Sequence, residues 1–195
     1  MKSCTGTART VQCYSHLAYS KATAVNQLKT SRQFPQHPFW DYSLDLYSQP
    51  GVQDACLALQ DEFGLDVNLV LFCIWAGAEG PGKLETSELS ECVARARRWQ
   101  TEVVERLRHI RRILKQDDLG SSEELVKLFR PRAQRLELDA EHIEQLLLAG
   151  IVPKYRGDTG PEVVTANLDA YLKLNFIEPN SAARELVALI VAKVY

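Results

Sequence analysis

Several groups of residues in this chain have the types and spacing that chemistry uses. The loop Gly77-Ala-Glu-Gly-Pro-Gly82-Lys83 fits G-x-x-x-x-G-K and follows the apolar run Leu69–Trp75. A phosphate-cradling loop of that pattern needs Ser or Thr after the Lys to hold Mg²⁺, and parallel strands around it. Leu84 follows here and strand signals are scarce, so the loop reads as a glycine-rich connection between helices. Asp139-x-x-His142, with Glu137, Glu141 and Glu144 nearby, has the residue types of a di-iron helix. Such sites need Glu-x-x-His on each of two helices and further carboxylates inside the core. Only one such element is present, and on helical geometry His142 neighbours the apolar face while the acids mostly point outward. A solvated acidic face is therefore expected, with no metal and no cofactor. His16, His37 and His109 have no carboxylate or nucleophile partner at meaningful spacing, and no nucleophile elbow occurs.

Asp66 and Asn68 interrupt the chain just before its most apolar part. Together with Trp40 and Asp41 they would suit an enzyme pocket if the side chains converged on a concave site. The simpler reading makes Asp66 a helix N-cap and Asn68 a buried amide tying adjacent helices together. The densest charge lies further on, in Arg95, Arg97, Arg98, Arg106, Arg108, Arg111, Arg112 and Lys115, against Glu102 and Glu105. At 100° per residue, Arg97, Arg98, Arg108, Arg111, Arg112 and Lys115 fall opposite the apolar stripe, and Arg95 and Arg106 flank its edge. That face could hold an acidic protein surface or nucleic-acid phosphates, or pair internally with the acidic run Glu137–Glu144.

The elements that must position these groups are helices. Phe39, Trp40, Leu44 and Tyr47 fall near helical spacing over residues 38–48, with Pro38 in the first turn. Pro50-Gly51 ends that helix. Val52, Cys56, Leu59 and Phe63 recur at steps of three and four in the next, and Gly64 suits its end. Residues 67–78 are apolar nearly all round, which predicts a central helix. Thr86 or Ser87 caps a long helix over 88–116, whose buried stripe is Leu89, Val93, Ala96, Trp99, Val103, Leu107, Ile110 and Leu114. Ser121 or Ser122 starts a helix that Arg130-Pro131 cuts, because the residue before Pro is pushed out of helical geometry. A further helix over 132–149 buries Leu136, Ile143, Leu146 and Leu147. Pro153 to Pro161 is a linker, followed by helical segments at 162–174 and 181–194.

The chain has 195 residues, 46% apolar and 25% charged, with a net charge of −2. That length and composition suit one soluble domain with a real core and give no global pull toward nucleic acid or membrane. Five cysteines without C-x-x-C spacing argue against a disulfide framework or zinc cluster and for reduced thiols in a cytoplasmic protein. No apolar run is long enough to span a bilayer. Before Asp41 there is no Asp or Glu, while Lys2, Arg9, Lys21, Lys29 and Arg32 stand among Ser and Thr. Residues 1–36 read as a disordered leader, 37–150 as the helical core domain, and 151–195 as a linker with two short helices.

Some stretches carry a family resemblance. They are Trp40-Asp41-Tyr42-Ser43-Leu44, Pro50-Gly51-Val52, Cys56-Leu57, Leu59-Gln60, Gly64, Asp66-Val67-Asn68-Leu69, Phe72-Cys73 and Trp75. Leu107-Arg108, Arg111-Arg112, Leu114-Lys115 and the Glu137–Gln145 helix continue it, with Asp139 where Glu is usual and His142 where Arg is usual. Over residues 38–149 the chain resembles an uncharacterised family of small helical proteins, a domain of unknown function found mainly in proteobacteria. The resemblance implies a helical bundle and no assigned activity. The expectation is an all-α compact helical bundle with a short helical C-terminal appendage. Its function would be protein interaction or regulation, with the basic helix face meeting an acidic partner, or nucleic acid as the alternative. The reading leans away from an enzyme.

Overall fold

The computed structural model describes residues 34–116, 119–152, 157–178 and 181–195. The expectation for residues 1–36 therefore falls almost wholly outside the described residues. Helices α1 Pro38–Tyr47, α2 Val52–Phe63 and α3 Val67–Ala78 come first. Next, α4 Thr86–Trp99 runs through a π-helical turn, Gln100–Val104, directly into α5 Glu105–Gln116. After them come α6 Glu123–Ile151, α7 Pro161–Leu174 and α8 Ala182–Val191. Among the described residues there is no strand, and no helix is long and apolar enough to cross a membrane.

α3 is the axis of the molecule. Every residue from Asn68 to Gly77 is buried, as an all-round apolar sequence requires. Its local punctuation follows the chain chemistry. Gly64 takes the left-handed conformation (φ 65°) that closes α2, and the side chain of Asp66 accepts from the Asn68 N–H at the start of α3. On one side Phe39 of α1 packs against Phe72 and Trp75 with ring centroids 5.3 and 5.2 Å apart. On another side lies α7, so close that a Cβ on Gly77 would sit 2.6 Å from the backbone nitrogen of Val164. The Gly160 N–H donates to the Gly77 carbonyl at 2.8 Å. The C-terminal helices thus do more than append: Val164, Leu168, Tyr171, Ala183 and Ile190 belong to the same core as α3. Each such fully buried apolar side chain stabilises the fold by about 1.5–3 kcal/mol before entropy is counted.

The glycine-rich connection between α3 and α4 is a packing joint. Gly77 is still helical. Asn167 of α7 ties the loop down: its Nδ2 donates to the carbonyls of Gly82 (3.1 Å) and Cys73 (3.4 Å), and its Oδ1 accepts from the Leu84 N–H (2.9 Å).

Some expectations are corrected. α6 does not break at Arg130-Pro131 but runs unbroken through Pro131. The missing N–H and the freed carbonyl lie on an exposed side, where water can satisfy the latter. Leu136, expected inside, is exposed. The helix over 88–116 is also not one regular helix. The π turn holds an extra residue, and that rotates everything after it relative to the stripe projected from Leu89. Ile110 is consequently 44% exposed, and Arg111 takes the inward place beside it.

Candidate functional site

A cavity of about 460 Å³ opens between α1, α2, the start of α3, the α4–α5 helix and α6. Its apolar wall includes Leu44, Leu57, Leu65, Leu69, Val93 and Leu138. Its polar floor includes Asp66, Asn68, Gln100, Arg108, Glu141 and Gln145. Trp40 and Tyr47 line it from α1, and the exposed Arg97 and Glu105 line it from α4 and α5. Gln100 and Thr101 of the π turn face it too, so the one irregular turn in the long helix stands at the cavity wall. π turns of this kind are often found at functional sites.

A chain of side-chain amides runs behind the floor. Gln145 Nε2 donates to Asn68 Oδ1 at 2.9 Å, and Asn68 Nδ2 donates to Glu144 Oε2 at 3.1 Å. Gln100 Nε2 donates to the same Glu144 oxygen at 2.6 Å. With Oε2 accepting twice, the other oxygen of Glu144 is buried without a hydrogen-bond partner, in the neighbourhood of Asp66. Burial first, and then the charge of Asp66, push the Glu144 carboxyl up to about 10. Glu144 is therefore held protonated far above the usual carboxylate range, beside Asp66. Burial also raises Asp66, but the N–H of Asn68 and the Glu144 proton act against that. Two carboxyl groups so close cannot both ionise, and one proton shared between them is the low-energy state. Tyr171 of α7 locks the pair from behind, its hydroxyl accepting from the Asp66 N–H at 3.0 Å.

This carries a pH consequence. The folded state holds the Glu144 proton up to about 10, whereas the group's ordinary value is 4.5. Across that window the folded state binds more protons than the unfolded one, so stability falls as pH rises. Glu144→Gln keeps the hydrogen bonds without the proton. Urea unfolding at several pH values should show wild type losing at most about 1.4 kcal/mol per pH unit above the ordinary value, and Glu144→Gln losing much less. Parallel slopes for the two proteins would contradict the shared proton.

The expected acidic face of residues 137–144 is turned inward. Glu137, Asp139 and Glu144 are buried, and Glu137 is 2% exposed. Arg108 and Arg111 hold Glu137 there. Arg108 donates from Nε to Glu137 (3.0 Å) and from Nη2 to Glu141 (3.2 Å); Arg111 donates from Nε and Nη2 to Glu137. Their side chains are only 14% and 12% exposed. The placement of these two opposite the core is thereby corrected. The internal pairing weighed for the basic stripe holds for them, while Arg97, Arg98, Arg112 and Lys115 stay exposed. Burial works against both partners. Even so, Glu141 and Glu137 hold Arg108 above its ordinary value, and Arg111 and Arg108 hold Glu137 below the usual carboxylate range.

His142 serves packing. Its ring stacks on Trp40 at 4.0 Å with 9° between planes, and Phe34 meets it edge-on. Burial lowers its pKa, which keeps the imidazole neutral beside the indole. Among the described residues no group of His, Cys, Asp and Glu stands close enough together to hold a metal ion.

Trp40, Asp66 and Asn68 thus share one cavity, whereas Asp41 does not line it. Sequence reasoning missed Gln100, Glu144, Gln145 and Tyr171 as parts of the site. Nothing local marks them, because their partners lie 44 to 105 residues away.

No curated protein and no solved structure matches the chain. A family model described as "Protein of unknown function (DUF2390)" matches residues 38–148, from the first residue of α1 into the last turn of α6. The match covers more than half of the chain and includes every cavity and network residue named above except Tyr171; this protein belongs to the DUF2390 family.

Proposed function

We propose that the protein binds a small organic molecule in the cavity between α1, α2 and the α4–α5 helix. The observation that carries this is the cavity itself. It is large enough for a drug-sized ligand, walled by aliphatic and aromatic side chains, and floored by converging polar groups. That combination is the usual make-up of a ligand pocket. The shared-proton pair beside the floor suits proton transfer as well as binding, so the same cavity supports an enzyme reading.

Docking on the outer basic face has less support. Arg108 and Arg111 are spent on Glu137 and Glu141, and Arg97 stands at the cavity. Arg98, Arg112 and Lys115 remain for an acidic protein or a phosphate chain.

The cavity reading is tested by filling the space. Leu57 is half-buried on the α2 wall, and Leu57→Trp would occupy the cavity without touching the polar floor. Wild type and variant are screened against a library of small organic molecules by thermal shift, with circular dichroism to verify the variant's fold. A ligand at about 100 times its Kd should raise wild-type stability by about 2.7 kcal/mol, roughly 5–10 °C for a chain of this size. The variant should lose that shift. Binders that survive in Leu57→Trp, or a wild type that binds nothing in the library, would overturn the proposal.

A further inference from the structure

Exposed apolar side chains gather on the α5–α6 hairpin, away from the cavity. Ile110, Leu119, Leu125, Leu128, Phe129 and Leu136 are each between 44% and 66% exposed. In the first half of α6, residues 123–136, only Val126 and Ala133 are buried. Exposed leucines scattered singly are ordinary, but a cluster on one element marks an interaction surface.

The charges beside this cluster select what covers it. Glu124, Leu128 and Arg132 follow one another at steps of four, so they stand in a line along α6, roughly 6 Å apart. Leu125 adjoins Leu128 one turn back, and Phe129 adjoins Leu125 one turn on. Glu124 and Arg132 are exposed, and among the described residues neither forms an ion pair. Two neighbouring cations are already used: Lys127 pairs with Glu123 at 2.7 Å, and Arg135 with Asp139 at 3.7 Å. The line is thus an acid, an apolar residue and a base, with both charges open.

We infer that α6 pairs antiparallel with α6 of a second copy of this chain, about a two-fold axis at Leu128. Reversing the chain direction about Leu128 sets Glu124 opposite Arg132 of the partner subunit. The symmetry forms that ion pair twice, while Leu125 and Leu128 of both chains close over the axis. Two-fold interfaces are self-complementary in this sense: residue i meets j, and j meets i. Other occupants fit the line less well. An acidic surface would answer Arg132 but meet Glu124 with like charge. Residues 1–33 of the chain itself carry five cations and no Asp or Glu, so they would answer Glu124 but meet Arg132 with like charge. None of the pairing residues lines the cavity, so this surface and the cavity reading stand or fall separately.

Analytical ultracentrifugation of the full chain, from about 1 μM to about 1 mM, tests the pairing. Wild type should pass from one chain toward two as concentration rises. Leu128→Glu sets two like charges face to face on the axis and should weaken association at least about tenfold. Glu124→Arg sets arginines opposite each other and should weaken it by a similar factor. Adding Arg132→Glu to Glu124→Arg restores both ion pairs with their polarity reversed. That double variant should associate within about threefold of wild type. All three positions are exposed, and circular dichroism verifies that each variant keeps the fold. Wild type that stays a single chain throughout overturns the inference. So does association indifferent to Leu128→Glu, or a double variant that associates no tighter than Glu124→Arg, because either would place the contact on another surface.

Discussion

Glu137→Ala is expected to destabilise the protein by about 3–5 kcal/mol, lowering Tm by on the order of 10 °C, while Glu91→Ala shifts it little. Glu137 is 2% exposed on α6, and both of its oxygens take hydrogen bonds from the guanidinium groups of Arg108 and Arg111. Those arginines are themselves largely buried. Removing the carboxylate leaves Arg108 with Glu141 at 3.2 Å and takes from Arg111 the carboxylate it holds. The cost is that of two charges left in low dielectric, not only the lost hydrogen bonds. The pair Arg95–Glu91 is the control. Its side chains are 56% and 50% exposed, and water screens such a pair to between zero and about 1 kcal/mol. Urea unfolding of both variants measures the difference.

The same residue sets an acid limit. Although burial works to raise it, the Glu137 carboxyl is held below its ordinary value by Arg111 and Arg108. A depressed carboxyl contributes stability that is present above its unfolded pKa and lost as pH falls through the folded one. Acid unfolding of Glu137→Ala should therefore be shallower than that of wild type. Equal loss for Glu137→Ala and Glu91→Ala would mean that the buried cluster is held by packing alone.

That cluster also marks where the sequence stopped being readable. The helical class, the central position of α3 and the cap at Asp66 are written locally, in all-round apolar character and in one Asp before it. The phase of the helix after Trp99 is not. A regular 3.6-residue projection carries Ile110 inward, and nothing in Gln100–Val104 announces the extra residue of the π turn. Once that turn rotates α5, Arg108 and Arg111 meet α6. The outward acids have a separate cause: the inner face of α6 is the one that carries Glu137, Leu138, Glu144, Gln145 and Leu148, while Leu136, placed inside for its apolar character, is exposed. Pro131 misled in the opposite sense: a helix breaker by local rules is tolerated where its freed carbonyl lies near water. The cavity was legible only as separate names. Trp40, Asp66 and Asn68 could be listed from the sequence, but the floor that joins them needs Gln100 and Glu144, whose hydrogen bonds span up to 76 residues.

Gly77→Ala and Gly150→Ala should move stability in opposite directions, although both put the same methyl group on a helical glycine. Gly150 is exposed near the end of α6, and a Cβ there meets nothing within 4 Å. Ala loses less backbone entropy than Gly on folding, so that change should be neutral or stabilise by about 0.5–1 kcal/mol. At Gly77 the same gain is outweighed. The new Cβ would lie 2.6 Å from the nitrogen and 2.7 Å from the Cα of Val164, and both are backbone atoms that no rotamer change can move aside. α7 must shift as a body or α3 must bend, and overpacking of this kind costs about 3 kcal/mol or more. The displacement would reach the cavity. Val164 and Tyr171 lie on the same helix, and the Tyr171 hydroxyl accepts from the Asp66 N–H at 3.0 Å, behind the shared-proton pair. Pushing α7 off α3 loosens that hydrogen bond, so any ligand read by Asp66 should bind Gly77→Ala more weakly than wild type even where both proteins are folded. Gly77→Ala matching Gly150→Ala in stability and ligand binding would show that the close α3–α7 crossing is not needed to hold the site.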